Sequence, residues 1–215
     1  DDTTETDEDT SVSVNVVGLL RGSDAVASAQ AVMVGGHLDH LGTDPNGAVF
    51  PGANDNASGV AITIEVARAL AAQRTTLLRS VVFVAFGGEE EGYLGASAYV
   101  QRMAAVPGRP ESLVAFLDVD AAGCCGDALG ASAENASLQS RVDAEVQRLG
   151  IKGGTPTGGS DHQVFARARV PAVLVQWTDP ILHTYADTIG VVDLRHVQGT
   201  GDVVTNVARS LAQSH

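Results

Sequence analysis

Four short apolar stretches, each rich in valine, recur along the chain. They cover Ala31–His37, Ser80–Gly87, Leu113–Asp120 and Val170–Trp177. Short, continuously apolar runs of this kind are typical of strands buried on both faces of a largely parallel sheet. An earlier stretch, Ser11–Leu20, alternates apolar and polar residues and also predicts a strand.

Helical patterns lie between these strands. Within residues 57–73, Ile62, Val66 and Leu70 recur at four-residue spacing, which predicts an amphipathic helix. A second predicted helix ends before Gly150, a natural stop, and has the same spacing in Leu138, Val142, Val146 and Leu149. Weaker helical patterns cover Gly92–Met103 and Val197–Leu211. Strands that alternate with helices predict an α/β fold, a three-layer α/β/α sandwich with a largely parallel, mixed central sheet.

The composition favours one folded domain and excludes two classes of partner. The chain has 215 residues, 44% of them hydrophobic, and a formal net charge of −13. So negative a chain repels nucleic acid and anionic membrane surfaces, and no apolar run approaches the ~20 residues that span a bilayer. We expect a disordered acidic tail over residues 1–10, a single domain over residues 11–215, and a secreted or periplasmic location. The sequence predicts no oligomeric state.

The two cysteines, Cys124 and Cys125, are neighbours in the chain. Adjacent Cα atoms lie ~3.8 Å apart, which is shorter than a normal disulfide spans. Two buried thiols are therefore the favoured interpretation. A vicinal disulfide ring and a metal contact remain as alternatives.

Histidines and carboxylates follow the predicted strands. His37 and Asp39 follow the first apolar run, Glu89–Glu91 the second, Asp120 ends the third, and His183 lies in the loop after the fourth. Ligands of open α/β sheets gather at these carboxyl ends. Histidines with carboxylates are typical ligands of zinc or a similar divalent ion, and two cations would relieve the repulsion between so many acids.

Five motifs make the prediction more specific: "GGHLDHLG", "PGANDNASGVA", "FGGEEEGYLGA", "LDVDAAG" and "LHTYADT". In order and in flanking residues they resemble the co-catalytic di-zinc aminopeptidases of metallopeptidase clan MH, the leucyl aminopeptidase and aminopeptidase Y family. The similarity runs from about Val14 to the C-terminus. It implies a zinc-exopeptidase fold, two Zn²⁺ ions, and peptide substrates with a free N-terminus.

The resemblance also assigns residues. It makes His37 and Asp120 ligands of one zinc, Glu90 and His183 ligands of the other, and Asp55 the ligand that bridges both. The position of Asp55 just before a helix suits an anion, although a plain N-cap would occupy the same place.

In the same family pattern Glu89 is the general base for a metal-bridging hydroxide, and Glu91 faces solvent. Asp39 is expected to accept a hydrogen bond from the ring of His37 and so to orient it. Asp187 is expected either to do the same for His183 or to cap the following helix. His40 is expected to be a loop residue rather than a ligand.

The segment "GGSDHQVF" resembles a turn that packs near the site in this family. Ser160, Asp161 and His162 are therefore expected to shape the substrate pocket. Asp118 alternates with Asp120 along a strand and is expected to be structural. His196 and His215 are expected to lie at the surface.

The sequence departs from the family pattern in two places. Some members carry a tyrosine before the last histidine, able to stabilise an oxyanion, whereas this chain has Leu182 there; Tyr185 or Tyr93 could replace it. Relatives also usually have further helix and strand before the first ligand, so the domain over residues 11–215 could lack N-terminal elements.

An aminopeptidase is the leading functional hypothesis. The alternatives are a clan member with another specificity, such as a carboxypeptidase or a glutaminyl cyclase, and a catalytically silent binding module on the same scaffold. A cyclase would need one zinc, and a silent module predicts lost ligands or a lost base. No ligand or base of the family pattern is lost in this sequence.

Overall fold

The computed structural model describes residues 12–105 and 112–214. The strands are β1 (Val16–Leu20), β2 (Gln30–His37), β3 (Ser80–Phe86), β4 (Ser112–Val119), β5 (Leu129–Ser132), β6 (Gly153–Gly154) and β7 (Ala172–Trp177). The helices are α1 (Gly59–Ala71), α2 (Leu94–Ala105), α3 (Ala136–Arg148), α4 (His162–Arg167) and α5 (Leu194–Gln213). The strands form a seven-stranded sheet in the order β1-β3-β2-β4-β7-β5-β6.

The centre of the sheet is parallel. Strand β2 pairs in parallel with β3 and β4, and β4 pairs in parallel with β7. Antiparallel pairs join β1 to β3 and β5 to β7. The predicted largely parallel, mixed sheet is therefore confirmed. Its four parallel central strands are those predicted from the continuous apolar runs.

Helices cover both faces of the sheet. On one face α1, α3 and α5 bury a cluster that includes Ile62, Leu117 and Val203. On the other face α2 and α4 cover a second cluster, in which Phe165 of α4 packs against Phe86 and Phe116. Burying each large apolar side chain stabilises the fold by roughly 1.5–3 kcal/mol relative to exposure. The predicted three-layer α/β/α sandwich is confirmed.

The elements missed from the sequence are short. Strands β5 and β6 have four and two residues, and α4 has six, too few to show a period. The edge strand β1 was predicted from an alternation of apolar and polar residues, which is typical of a half-buried strand. Four of its five residues are exposed instead. Among the described helices, none is both long and apolar enough to cross a membrane.

Two local predictions need correction. Cys124 and Cys125 form a vicinal disulfide, and Cys125 is exposed, so the expectation of two buried thiols is wrong. His196 is only partly exposed, because its ring packs edge-on against Trp177 with the ring centres 4.1 Å apart. The predicted tail over residues 1–10 and His215 lie outside the described residues, and the domain boundary at residue 11 stays a prediction.

Candidate metal centre

The five side chains predicted as metal ligands converge at the carboxyl edge of the sheet. They come from five segments: the last residue of β2 (His37), the irregular turn before α1 (Asp55), the turn after β3 (Glu90), the residue after β4 (Asp120) and the loop after β7 (His183). Parallel strands end at one edge, so residues distant in sequence meet there. Whether the five bind metal stays a prediction.

Asp55 lies at the centre of this cluster. Its Oδ1 is 3.1 Å from Nε2 of His37, and its Oδ2 is 3.2 Å from Nε2 of His183. The two oxygens of one carboxylate thus face two different histidines. This arrangement divides the cluster into two halves that share Asp55.

Each half is completed by one more carboxylate. Asp120 Oδ1 lies 3.4 Å from Nε2 of His37, and Glu90 Oε2 lies 3.1 Å from Nε2 of His183. Ligands at zinc bond lengths of 2.0–2.1 Å in a tetrahedron are separated by about 3.3 Å. The spacing and the nitrogen and oxygen donor set therefore fit one zinc ion in each half.

Buried oxygens without hydrogen bonds support the same fit. Asp55 Oδ2 and Asp120 Oδ1 are buried, yet neither has a hydrogen-bond partner in the described part of the chain. Buried carboxylate oxygens normally accept hydrogen bonds or bind a metal. His183 is 49% exposed, whereas His37 is 1% exposed, so the half that contains His183 is the one open to solvent.

The sequence matches the model of Peptidase family M28 over residues 15–208. This chain belongs to peptidase family M28. It is 28% identical to Aminopeptidase YwaD of Bacillus subtilis (strain 168), over 90% of this chain and 43% of that protein.

Solved structures of M28-like fold agree. The structure of BSAP, a zinc aminopeptidase from Bacillus subtilis, superposes with a TM-score of 0.76 at 24% identity and covers 93% of this chain and 50% of that one. The structure of Legionella pneumophila LapA aminopeptidase superposes with a TM-score of 0.77 at 21% identity. The match covers 94% of this chain and 58% of that one. The chain therefore spans about half the length of these similar proteins.

In this M28 chain Asp187 holds the backbone at Asp55. Its carboxylate accepts the N–H of Asn54 at 2.6 Å and the N–H of Asp55 at 2.9 Å. Asp187 is fully buried. In the described structure the Asp187 carboxylate is bonded to these two N–H groups and to neither His183 nor the helix that follows it, so both predicted roles for Asp187 are wrong. It fixes the segment that carries the central carboxylate.

Asn56 secures the other side of Asp55 and takes the capping role. Its amide donates to the carbonyl of Val119 at 3.0 Å, and its Oδ1 accepts the N–H of Gly59 at the start of α1, also at 3.0 Å. A Cβ at Gly59 would lie 2.2 Å from the Val119 oxygen. Glycine at this position therefore lets α1 approach β4, and Asp55 is left without a capping contact.

Asp39 contacts the site through different atoms than predicted. The main-chain carbonyl of Asp39, not its carboxylate, lies 3.0 Å from Nδ1 of His37, while the carboxylate is 3.8 Å from that nitrogen. The carboxylate accepts the backbone N–H groups of Glu89 at 3.1 Å and of Glu90 at 3.2 Å. Asp39 therefore orients both the histidine and the two glutamates.

Glu89 lies beside the half of the site that contains His37 and Asp120. Ligand atoms of these three residues fall within 4.8 Å of one another. Burial raises the pKa of Glu89 to about 8; the charge of His37 opposes this rise, and Asp120 and Glu90 add to it. In the metal-free protein Glu89 therefore holds a proton at neutral pH.

The ring of His37 is charged by its neighbours. Burial acts to lower its pKa, but the carboxylates of Asp120 and Asp55 outweigh burial and raise the pKa of His37 far above the usual range. A protonated His37 balances part of the negative charge in the metal-free site. A metal ion would take the place of that proton.

His40 lies in the site although it was predicted to be only a loop residue. Its Nδ1 is 2.8 Å from Oε1 of Glu90 and 3.7 Å from Oδ2 of Asp55. The residue does lie outside the helices and strands. Its position three residues after His37, in the loop that leaves the site, is the one sequence signal that could have indicated this contact.

The predicted pocket residues Ser160, Asp161 and His162 are all buried. The backbone N–H of His162 donates to Oδ2 of Asp118 at 2.7 Å, which agrees with a structural role for Asp118. Neither oxygen of Asp161 has a hydrogen-bond partner among the described residues. Burial, followed by the charge of Asp118, raises the pKa of Asp161 to about 9.

The two tyrosines considered for an oxyanion role differ in placement. The hydroxyl of Tyr185 donates to Oδ2 of Asp44 at 2.5 Å, and its ring stacks on Phe50 with the ring centres 4.4 Å apart. That hydroxyl is therefore engaged on the surface. Tyr93 follows the glutamate turn, where burial and the charge of Glu89 raise its pKa.

Proposed function

We propose that this chain carries the active site of a two-zinc aminopeptidase. The observation that carries the proposal is the position of Asp55, whose two oxygens face His37 and His183 separately. His37 and Asp120 would hold one ion, Glu90 and His183 the other, and Asp55 both. The names of the similar proteins, an aminopeptidase and a zinc aminopeptidase, support the same class.

Zinc bound by these residues would polarise the first peptide carbonyl and make the attacking water more acidic. Ligand atoms of Glu89, His37 and Asp120 lie within 4.8 Å of one another. In the proposed site His37, Asp120 and Asp55 hold the first ion, which leaves Glu89 to accept the proton of that water. Glu89 would then deliver the proton to the amine that leaves. Asp39 accepts the backbone N–H of Glu89 and so fixes the turn from which this side chain extends.

The preference for a free amine comes from the similar proteins, which are named as aminopeptidases. The four carboxylates of Glu89, Glu90, Asp55 and Asp120 balance the four positive charges of two zinc ions, so the loaded site would carry no net positive charge to repel an ammonium group. The exposed ring of His183 marks the side from which a peptide would enter.

A substrate panel tests the reaction class. The zinc-loaded 215-residue chain would be assayed with aminoacyl p-nitroanilides, their N-acetylated counterparts, N-blocked peptides with a free carboxyl end, and peptides with N-terminal glutamine. We expect hydrolysis only of the free-amine nitroanilides and its loss on chelation. Release from the carboxyl end, cyclisation of glutamine, or no turnover of any substrate would reject the aminopeptidase assignment.

Metal counting tests the site itself. We expect about two zinc ions per chain after reconstitution and dialysis, and loss of both ions in Asp55→Ala, because this variant removes the shared ligand. A variant that keeps one ion at wild-type affinity would contradict the bridging role. Inductively coupled plasma mass spectrometry gives the count without any assay of activity.

A further inference from the structure

We infer that His40 is a positioning residue for Glu90, which it holds in a one-oxygen mode of metal binding. The inference rests on the proposed two-metal site and extends it to a residue outside the ligand set. Each carboxylate oxygen of Glu90 contacts a different histidine. Oε1 lies 2.8 Å from Nδ1 of His40, and Oε2 lies 3.1 Å from Nε2 of His183. One oxygen is therefore engaged by a ring N–H, and only the other faces the metal half of the site.

The direction of this hydrogen bond follows from the chemistry of the pair. As a metal ligand Glu90 would be ionised, and an ionised carboxylate can only accept, so Nδ1 of His40 would be the donor. The other ring nitrogen, Nε2, is buried and has no hydrogen-bond partner within the described residues. The contact with Glu90 is consequently the polar interaction that accounts for an imidazole at this position.

The surroundings lock the ring of His40 in place. A Cβ at Gly52 would lie 2.8 Å from Cγ and 2.9 Å from Cδ2 of His40, so only a glycine backbone leaves room for the ring. Phe50 packs edge-on at 6.4 Å between ring centres, and the ring of His183 lies 5.9 Å away. A histidine fixed on these sides can hold a carboxylate in one orientation.

The consequence concerns the coordination of the second ion. Asp55, Glu90 and His183 would supply three protein ligands to this ion, and a catalytic zinc keeps its fourth position open. If Glu90 were free to rotate, its second oxygen could fill that position. By engaging Oε1, His40 keeps the fourth position available to substrate or water.

Two substitutions separate the hydrogen bond from the bulk of the ring. Asparagine places an N–H close to the position of Nδ1, whereas alanine removes the donor. We expect His40→Ala to weaken the second zinc about 10–100-fold, as when partners of metal ligands are removed, and His40→Asn to restore most of the affinity. The first zinc, at His37 and Asp120, should bind as in the wild type in both variants.

Zinc titration of the metal-free chain against a competing chelator measures the two affinities without any substrate. His196→Ala, which removes an imidazole outside the site, is the matched control and should bind both ions normally. The absorption of the Co²⁺-loaded chain adds a signature: His40→Ala should show a band displaced from that of the wild type, because a second carboxylate oxygen takes the fourth position from water, and His40→Asn the wild-type band. Circular dichroism of each variant checks the fold.

These measurements test the role of His40 separately from the proposed function. Wild-type affinity for both ions in His40→Ala, equal weakening of both ions, or no recovery in His40→Asn would each overturn the inference. A wild-type chain that binds two ions but cleaves no free-amine substrate would reject the proposed function alone. A wild-type chain that binds fewer than two ions would reject both.

Discussion

The carboxylate of Asp187 accepts the backbone N–H of Asp55 at 2.9 Å, across 132 residues of chain. A second N–H, that of Asn54, is bonded to the other oxygen of the same carboxylate at 2.6 Å. Two charge-assisted bonds from a fully buried side chain thus fix the segment that presents the central carboxylate of the site. We therefore expect Asp187 to contribute both to the stability of the fold and to metal affinity.

We expect Asp187→Asn to lower both the stability of the fold and the affinity for zinc. The amide oxygen can accept one N–H, but the amide nitrogen faces the other N–H as a second donor. The loss of one hydrogen bond to a charged group corresponds to about 1.5–3 kcal/mol of unfolding free energy, and zinc affinity should fall with it. Urea unfolding of the metal-free chain measures the unfolding free energy, and competition with a chelator measures the zinc affinity. An unchanged unfolding midpoint would contradict the assigned bonds.

The fold could be predicted from local signals in the sequence, and the candidate ligands from the resemblance of five motifs to a known family. The valine-rich runs that became β2, β3, β4 and β7 need no partner to be recognised. His37 and Asp120 stand at strand ends, where a parallel sheet gathers its functional groups. For this reason the five predicted ligands were found close together.

The supporting contacts were not accessible, because they use backbone atoms and distant partners. Asp39 was assigned the right neighbour, but its carboxylate bonds to the N–H groups of Glu89 and Glu90 instead. Asp187 is 132 residues from its partner, and no period in the sequence links them. His40 was placed in a loop correctly, yet its contact with Glu90 depends on how the loop folds back.

The vicinal disulfide makes a simple chemical prediction. The described structure joins Cys124 to Cys125, and the sequence contains no other cysteine. The denatured, unreduced chain should therefore show no titratable thiol with a thiol-specific reagent, and about two after reduction. Two thiols without reductant would contradict the bond. A mass shift of two hydrogens between the two forms is an independent check.

Asp161 should make the stability of the metal-free chain depend on pH. Its pKa is raised from 3.8 to about 9, so the folded state holds a proton that the unfolded state has lost. Below pH 3.8 the carboxyl is protonated in both states, so Asp161 does not lower the unfolding free energy. The unfolding free energy then falls as the pH rises to about 9, and above that pH the reduction due to Asp161 is constant.

Asp161→Asn resembles the protonated form and lacks the ionisation. Relative to this variant the wild-type chain should lose stability steadily between pH 5 and 8.5. The difference in unfolding free energy between the two, measured by urea titration at several pH values, reports the effect of this one group. A difference that stays constant across the range would show that Asp161 is ionised in the folded chain.

The strongest test of the proposed chemistry is the substitution Glu89→Gln. The proposed site assigns Glu89 to neither ion, so the variant is expected still to bind about two zinc ions per chain. The amide cannot accept a proton, and general base catalysis contributes about 10²–10⁴-fold to rate, so kcat should fall by that factor with KM little changed. Glu91→Gln is the matched control, because Glu91 follows in the same turn but is exposed. Its activity should equal that of the wild type. If Glu89→Gln turned over substrate as fast as Glu91→Gln, another residue would have to serve as the base.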